Sequence, residues 1–137
     1  MHQHTTGPWS ETQHGRRPRL LIEDPSPVFE VAEFRRFEDA GFDVAVCSGP
    51  DEAHRCPLTE GGDCRLAELA DVVLIGPGMA PHRGEIAAAH RRRRPDLPLV
   101  VQVPRDDPGQ CPPGFFAGYV PASVDGQIRS LWRALDR

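Results

Sequence analysis

The 137-residue sequence contains no lysine, since all 16 of its basic residues are arginine. Any mechanism that needs a lysine ammonium is therefore excluded. No apolar run approaches the ~20 residues that a helix needs to span a bilayer. The first residues also lack the charged-then-apolar pattern of a secretory signal. We therefore expect a cytoplasmic protein that has no membrane partner.

The sequence also lacks an excess of positive charge, because 20 acidic residues outnumber the 16 arginines. This balance gives no reason to expect a nucleic acid as partner. The one dense basic cluster is "HRRRRPD" at 90–96. We interpret it as a solvated helix end, where positive charge complements the helix dipole. A site for an acidic protein partner is the second interpretation.

The length fits one domain with one hydrophobic core. Residues 1–18 are polar, aperiodic and short of aliphatic side chains, so they predict a disordered N-terminal tail with few buried contacts. We therefore place the folded domain at residues 19–137.

Strand and helix signals alternate from residue 19 onwards, which is typical of an α/β fold with a parallel sheet. The short apolar runs predict strands at 19–22, 43–47, 71–75, 97–103 and 117–120. The patterns between and after them predict helices at 26–41, 82–94 and 123–137.

The first of these helices has recognisable ends. Ser26 is placed to cap it, Pro27 fits its first turn, and Gly41 is a typical C-terminal stop. Phe34 and Phe37 share one face of the helix and are predicted to bury against the sheet.

Two connections depart from the alternating pattern. Residues 48–64 are rich in glycine, proline and cysteine where a second helix is expected, and residues 104–116 carry four prolines where a fourth is expected. Proline removes an amide donor and clashes with a helical backbone. We therefore predict that the second and fourth helices are degraded to loops.

The order of these segments, with "RLLIEDPSP", "AGFDVAVC", "ADVVLIGPGM", "LPLVVQV" and "GYVPASVDGQI" as its landmarks, resembles a response-regulator receiver domain. The resemblance spans essentially the whole of residues 19–137. It implies a flavodoxin-like (βα)5 fold with a central five-stranded parallel sheet in the order 2-1-3-4-5. We expect a stand-alone domain of this kind.

The resemblance also implies where the family's phosphorylation pocket would lie. Glu23 and Asp24 occupy the place of two acids that hold a divalent metal, and Gly76 replaces the aspartate that accepts the phosphoryl group. Val103 falls where a Ser or Thr is usual, and Pro121 where a lysine is usual. Phosphorylation of a carboxylate needs a nucleophilic oxygen, a metal and a cation on the far side. We therefore predict a degenerate pocket that cannot accept a phosphoryl group.

The two remaining acids lack a third carboxylate, so they make a poor magnesium site. We interpret Glu23 and Asp24 as solvated residues at a strand end and assign no cofactor. The predicted function is a non-enzymatic, receiver-like regulatory or protein-interaction module in signal transduction. Its expected partner is another protein of a regulatory circuit, or a second copy in a homodimer.

Cysteine supplies the alternative function. Cys47, Cys56 and Cys64, with His54 nearby, lie in or beside the unusual second connection. Their spacing is not the C-x2-C of structural zinc sites. Three thiolates, or two with His54, could still bind zinc and make the segment 47–64 a metal- or thiol-based sensor. Plain thiols are the main interpretation, and Cys111 lies in a different loop.

The segment between two of these cysteines contains Gly61 and Gly62, which permit a reversal of the chain. We therefore predict that Cys56 and Cys64 approach each other. A metal site and a disulfide both require that approach, and a pair of packed thiols is compatible with it.

Overall fold

A computed structural model of the protein describes residues 9, 17–24, 31–47, 56–79, 82–120 and 123–136. Strands and helices alternate along these residues. The strands are β1 (Arg19–Glu23), β2 (Asp43–Cys47), β3 (Val72–Ile75), β4 (Leu99–Pro104) and β5 (Phe116–Val120). The helices are α1 (Val31–Asp39), α2 (Arg65–Leu69), α3 (Arg83–Arg93) and α4 (Val124–Leu135). In this part of the chain, no helix has the length and apolar character that crossing a bilayer requires.

The strands form one sheet in the order β2-β1-β3-β4-β5, and every neighbouring pair is parallel. Leu20 of β1, for example, lies between Val44 of β2 and Val72 of β3. Strands covered on both faces read as continuous apolar runs, as these do. The predicted α/β fold and strand order are confirmed.

Helices cover both faces of the sheet, because successive side chains of a strand point to opposite sides. Leu20 and Ile22 face the core formed with α1 and α4, which includes Phe37. Leu21 faces the core formed with α2 and α3, which includes Ile86. We call these two sides the α1/α4 face and the α2/α3 face.

The end of α1 agrees with the sequence. Gly41 adopts a φ of 109°, which non-glycine residues rarely adopt, and terminates the helix as predicted. The predicted start at Ser26 and Pro27 lies outside the described residues.

Trp132 of α4 packs over this turn. A Cβ at Gly41 would lie 3.1 Å from its Cζ2 atom, and its ring centroid lies 4.7 Å from that of Phe42. The indole Nε1 donates to the carbonyl of Ala40 at 3.2 Å. The ring therefore fixes α4 against the end of α1 by both packing and a hydrogen bond.

The two degraded helices have different outcomes. The second is shortened rather than lost, because residues 57–62 form turns and the helix α2 begins after them, at Arg65. The predicted loop at 48–64 agrees with the structure over its described residues 56–64, whereas α2 follows it at 65–69, where the sequence analysis assigned no element and where "RLAEL" has no glycine or proline to prevent a helix. The helix expected between β4 and β5, at residues 104–116, is confirmed as lost, and a single 3-10 turn at Pro108–Gln110 takes its place.

Arg94 stabilises the short helix α2 from outside. Its Nη1 donates to the carbonyls of Ala67, Glu68 and Ala70 at 2.9, 3.2 and 2.6 Å. The last carbonyls of a helix have no partner within the helix, and a five-residue helix is too short to be stable alone. This guanidinium therefore supplies bonds that a longer helix would make for itself.

The predicted tail has one described exception. Trp9 is 7% exposed and belongs to the core on the α2/α3 face, with the guanidinium carbon of Arg19 5.8 Å from its ring centroid. The expectation that the tail makes few buried contacts is therefore wrong at Trp9, because a single large ring can bury although its neighbours are polar. Residues 1–8 and 10–16 lie outside the described part of the chain.

We predict that Phe37→Ala lowers the free energy of unfolding by about 3–5 kcal/mol, because Phe37 is fully buried and the truncation leaves a cavity. Phe34 is only partly buried, so Phe34→Ala should have a clearly smaller effect. Urea unfolding of both variants and the parent provides the measurement. Equal losses for the two variants would contradict the packing of α1 described above.

Candidate functional site

The carboxyl ends of β1, β2 and β3 meet at one edge of the sheet, where ligands of open α/β sheets bind. Asp24 follows β1, and its amide donates to the carbonyl of Cys47 at 3.1 Å. Gly76 follows β3, and its amide donates to the carbonyl of Glu23 at 2.8 Å. The structure therefore places two of the predicted pocket residues, Asp24 and Gly76, side by side.

The Asp24 side chain fills the space beside Gly76. A Cβ built on Gly76 would lie 2.4 Å from Oδ2, 2.8 Å from Cγ and 2.9 Å from Cβ of Asp24. These separations are too short for atoms that are not bonded to each other. Any residue with a side chain at position 76 would therefore require Asp24 to move.

The other predicted pocket residues do not join this pair. Val103 is fully buried in the core on the α2/α3 face, where it presents neither a hydroxyl nor a charge. Pro121 lies outside the described residues. Glu23 belongs to β1 itself, and its side chain does not lie at the sheet edge.

The interpretation of Glu23 as a solvated residue was wrong. Its residue exposure is 4%, and its Oε1 lies 2.6 Å from Nε2 of His90, which is 1% exposed. The alternation of β1 places Glu23 on the same face as Leu21, beneath α3. A buried carboxylate requires a polar partner, and His90 supplies it.

Sequence reasoning missed His90 because it assigned this residue to the basic cluster 90–96. The available signal was its spacing from Ile86, since residues four apart share one face of a helix. Ile86 is fully buried, and His90, about one helical turn later on the same face, is buried as well.

The histidine ring is only half satisfied. Nε2 contacts Glu23, whereas Nδ1 is buried and has no hydrogen-bond partner among the described residues. Buried polar atoms without a partner are rare in folded proteins, so each one points to strain or to a missing ligand.

The chain reverses between Cys56 and Cys64, as predicted. Gly61 adopts a φ of 81°, and the amide of Gly62 donates to the carbonyl of Pro57 at 2.8 Å. Cys64 packs against the small core cluster that contains Cys56, which confirms their predicted approach.

A cavity of about 110 Å³ lies beside these cysteines. Cys47, Cys56, Cys64 and Glu23 all contribute to its wall. None of these three cysteines forms a disulfide, and neither does Cys111 in its different loop. The other predicted ligand, His54, lies outside the described residues. Nowhere in the described part of the chain do three His, Cys, Asp or Glu side chains form a group that could hold a metal ion.

Burial raises the pKa of the Cys64 thiol above its ordinary value, and the negative charge of Glu23 acts in the same direction. The backbone amide of Ala67 opposes the shift. Because the thiolate is the nucleophile and the metal ligand, a raised pKa makes Cys64 less reactive than an exposed cysteine. The cluster is therefore closer to packed thiols than to an activated site.

We predict that Glu23→Leu lowers the free energy of unfolding by about 1–3 kcal/mol, because it leaves both nitrogens of His90 buried without a partner. Glu23→Gln retains an amide oxygen that can accept from Nε2 and should cost less. Denaturant unfolding at pH 7 measures both. Equal losses for the two variants would contradict the hydrogen-bonding role of Glu23.

The sequence matches no family model and no curated protein. The structure is similar to that of a response regulator receiver domain protein from Clostridium thermocellum, with a TM-score of 0.61 and 17% identity over 88% of this chain and 95% of the other. It is also similar to a response regulator receiver protein from Sinorhizobium medicae WSM419, with a TM-score of 0.57 and 16% identity over 89% of this chain and 96% of the other. This chain therefore has the fold of a response-regulator receiver domain.

Proposed function

We propose that the protein is a non-enzymatic, receiver-like regulatory module of the cytoplasm, which binds other proteins and cannot accept a phosphoryl group. The likeness to two solved receiver proteins supports the signalling role. One observation carries the second half of the proposal. Position 76 has no side chain, and the Asp24 carboxylate occupies the space where one would lie.

The chemistry of phosphoryl transfer argues in the same direction. Charge develops on the transferred group, and a receiver neutralises it with a metal and a cation. Here Glu23 is turned into the core, which leaves Asp24 as the one predicted metal ligand at the sheet edge. Val103 offers no hydroxyl, and no lysine exists in the sequence to serve as the cation.

A module of this kind would present one fixed surface rather than a phosphorylation-dependent one. The surface that we favour is the loop between β4 and β5, where the expected helix is lost. Phe115 and Tyr119 are half-buried there, with the guanidinium carbons of Arg91 and Arg105 4.7 and 5.6 Å from their ring centroids. Aromatic and arginine side chains are enriched at protein interfaces. The partner would be another protein of a regulatory circuit or a second copy of this chain.

We predict that incubation with acetyl phosphate and Mg²⁺ leaves the intact mass of the protein unchanged, because residue 76 is a glycine and has no carboxylate to accept the phosphoryl group. Gly76→Asp should also remain unmodified, because Asp24 fills the same space and the lysine is still missing. A receiver domain that is known to react provides the positive control. An increase of about 80 Da in the parent, lost at alkaline pH, would overturn the proposal.

The metal- or thiol-sensor function remains the second candidate, because Cys47, Cys56 and Cys64 line one cavity. The raised pKa of Cys64 and the lack of a metal-binding group among the described residues argue against it.

We predict that neither a chelator nor a reductant changes the thermal midpoint of the parent, because packed thiols need neither a metal nor a disulfide. The comparison is a Cys56→Ser, Cys64→Ser double variant, with Cys111→Ser as the matched control outside the cluster. A midpoint that falls in chelator for the parent but not for the double variant would establish a metal. A parent that falls in reductant to the level of the double variant would establish a disulfide.

A further inference from the structure

A second cavity, of about 650 Å³, lies between α2 and the last turn of α3. Leu58, Ala67 and Leu69 give it an apolar wall, and Arg92 and Arg93 stand on its other side. Its volume falls within the range of about 300–1,000 Å³ that is typical of small-molecule sites. We call this cavity the α2–α3 cleft.

His90 forms part of the wall of this cleft. Its Nδ1 is the atom that has no hydrogen-bond partner among the described residues, although the ring is 1% exposed. The bond to Glu23 fixes the other nitrogen and so fixes the orientation of the ring. A ligand in the cleft that offers an acceptor to Nδ1–H would satisfy this buried group.

The charges of the cleft favour an anion. Three arginines line it, Arg92, Arg93 and Arg94, against the single carboxylate of Glu68. Cys64 also lines it, and its raised pKa keeps the thiol uncharged.

The three arginines are not equally available. Arg94 is held by the carbonyls at the end of α2. Arg93 forms ion pairs with Asp63 and Glu68. Arg92 is exposed, and it has no hydrogen bond or ion pair in the described part of the chain. It is therefore the guanidinium that could bind a ligand without losing a partner among the described residues.

We propose that the α2–α3 cleft binds a small organic carboxylate, a function beyond the protein-interaction role proposed above. The carboxylate accepts from Nδ1–H of His90 and from the guanidinium of Arg92. The hydrocarbon part of the ligand lies on the wall of Leu58, Ala67 and Leu69. In this arrangement the His90 ring contacts Glu23 through Nε2 on one side and the ligand through Nδ1 on the other.

Two other ligand classes fit the cleft less well. A metal cation would face three arginines, and its only soft ligand would be the protonated Cys64. An inorganic anion would satisfy the charge but leave the apolar wall in contact with water, in a cavity much larger than the ion. The combination of an apolar wall, several arginines and a buried ring nitrogen without a described partner matches an organic acid.

Benzoate is the probe for the experiment, because it joins a carboxylate to an apolar ring. We expect it to bind with a dissociation constant on the order of 1 mM and to shift the NMR signals of the His90 ring in histidine-labelled protein. Benzamide has nearly the same shape without the charge, and inorganic phosphate has charge without the ring. Both should bind at least tenfold more weakly. Equal binding of benzamide would refute the carboxylate, and equal binding of phosphate would refute the organic part of the ligand.

Two variants locate the site. Arg92→Gln should weaken benzoate binding by roughly tenfold, because it removes a charged hydrogen bond, whereas Arg133→Gln on the exposed side of α4 should not. His90→Gln keeps an amide that can donate to Glu23 but removes Nδ1, so it should also abolish most of the binding. If His90→Gln fails to fold, the two exposed arginine variants decide the outcome. Equal affinity of Arg92→Gln and Arg133→Gln would place benzoate elsewhere and overturn the proposal.

Discussion

The hydrogen bond between Glu23 and His90 is the interaction on which the rest of the arrangement depends. It joins β1 to α3 through the core, where neither side chain could remain polar and unpartnered without a large loss of stability. The two cavities lie on either side of it, since Glu23 lines the one with the three thiols and His90 lines the α2–α3 cleft. One buried pair thus links β1 to α3 and contributes one residue to the wall of each cavity.

The sheet could be predicted from the sequence because each strand is a short apolar run that is followed by a break. The turn at Gly41 was predictable for a similarly local reason, because a glycine after a helical pattern is a typical stop. The structure shows it there with a φ of 109°. The burial of Glu23 was not predictable in the same way. An acid at the end of a strand is solvated or buried according to what lies above it, and His90 is 67 residues away. Trp9 was missed because its contacts also depend on distant parts of the chain.

The candidate phosphorylation pocket illustrates the same limit. The sequence is sufficient to say that Gly76 has no carboxylate and that no lysine is available. It does not say what occupies the space that the missing side chain leaves. The structure places the Asp24 carboxylate there, 2.4 Å from where a Cβ would stand. The loss of one side chain and the position of its neighbour are therefore coupled, and restoring an aspartate at 76 alone would create a clash rather than a site.

The bonds from Arg94 to the end of α2 have a consequence for the order of folding. A helix as short as Arg65–Leu69 cannot nucleate by itself, and its terminal carbonyls are bound by a side chain that follows α3 in sequence. Helix α2 should therefore form only after α3 has docked on the sheet, and it should open before the sheet does. Its amide protons should exchange with solvent faster than those of β1 and β3, and the local opening would widen the α2–α3 cleft without global unfolding.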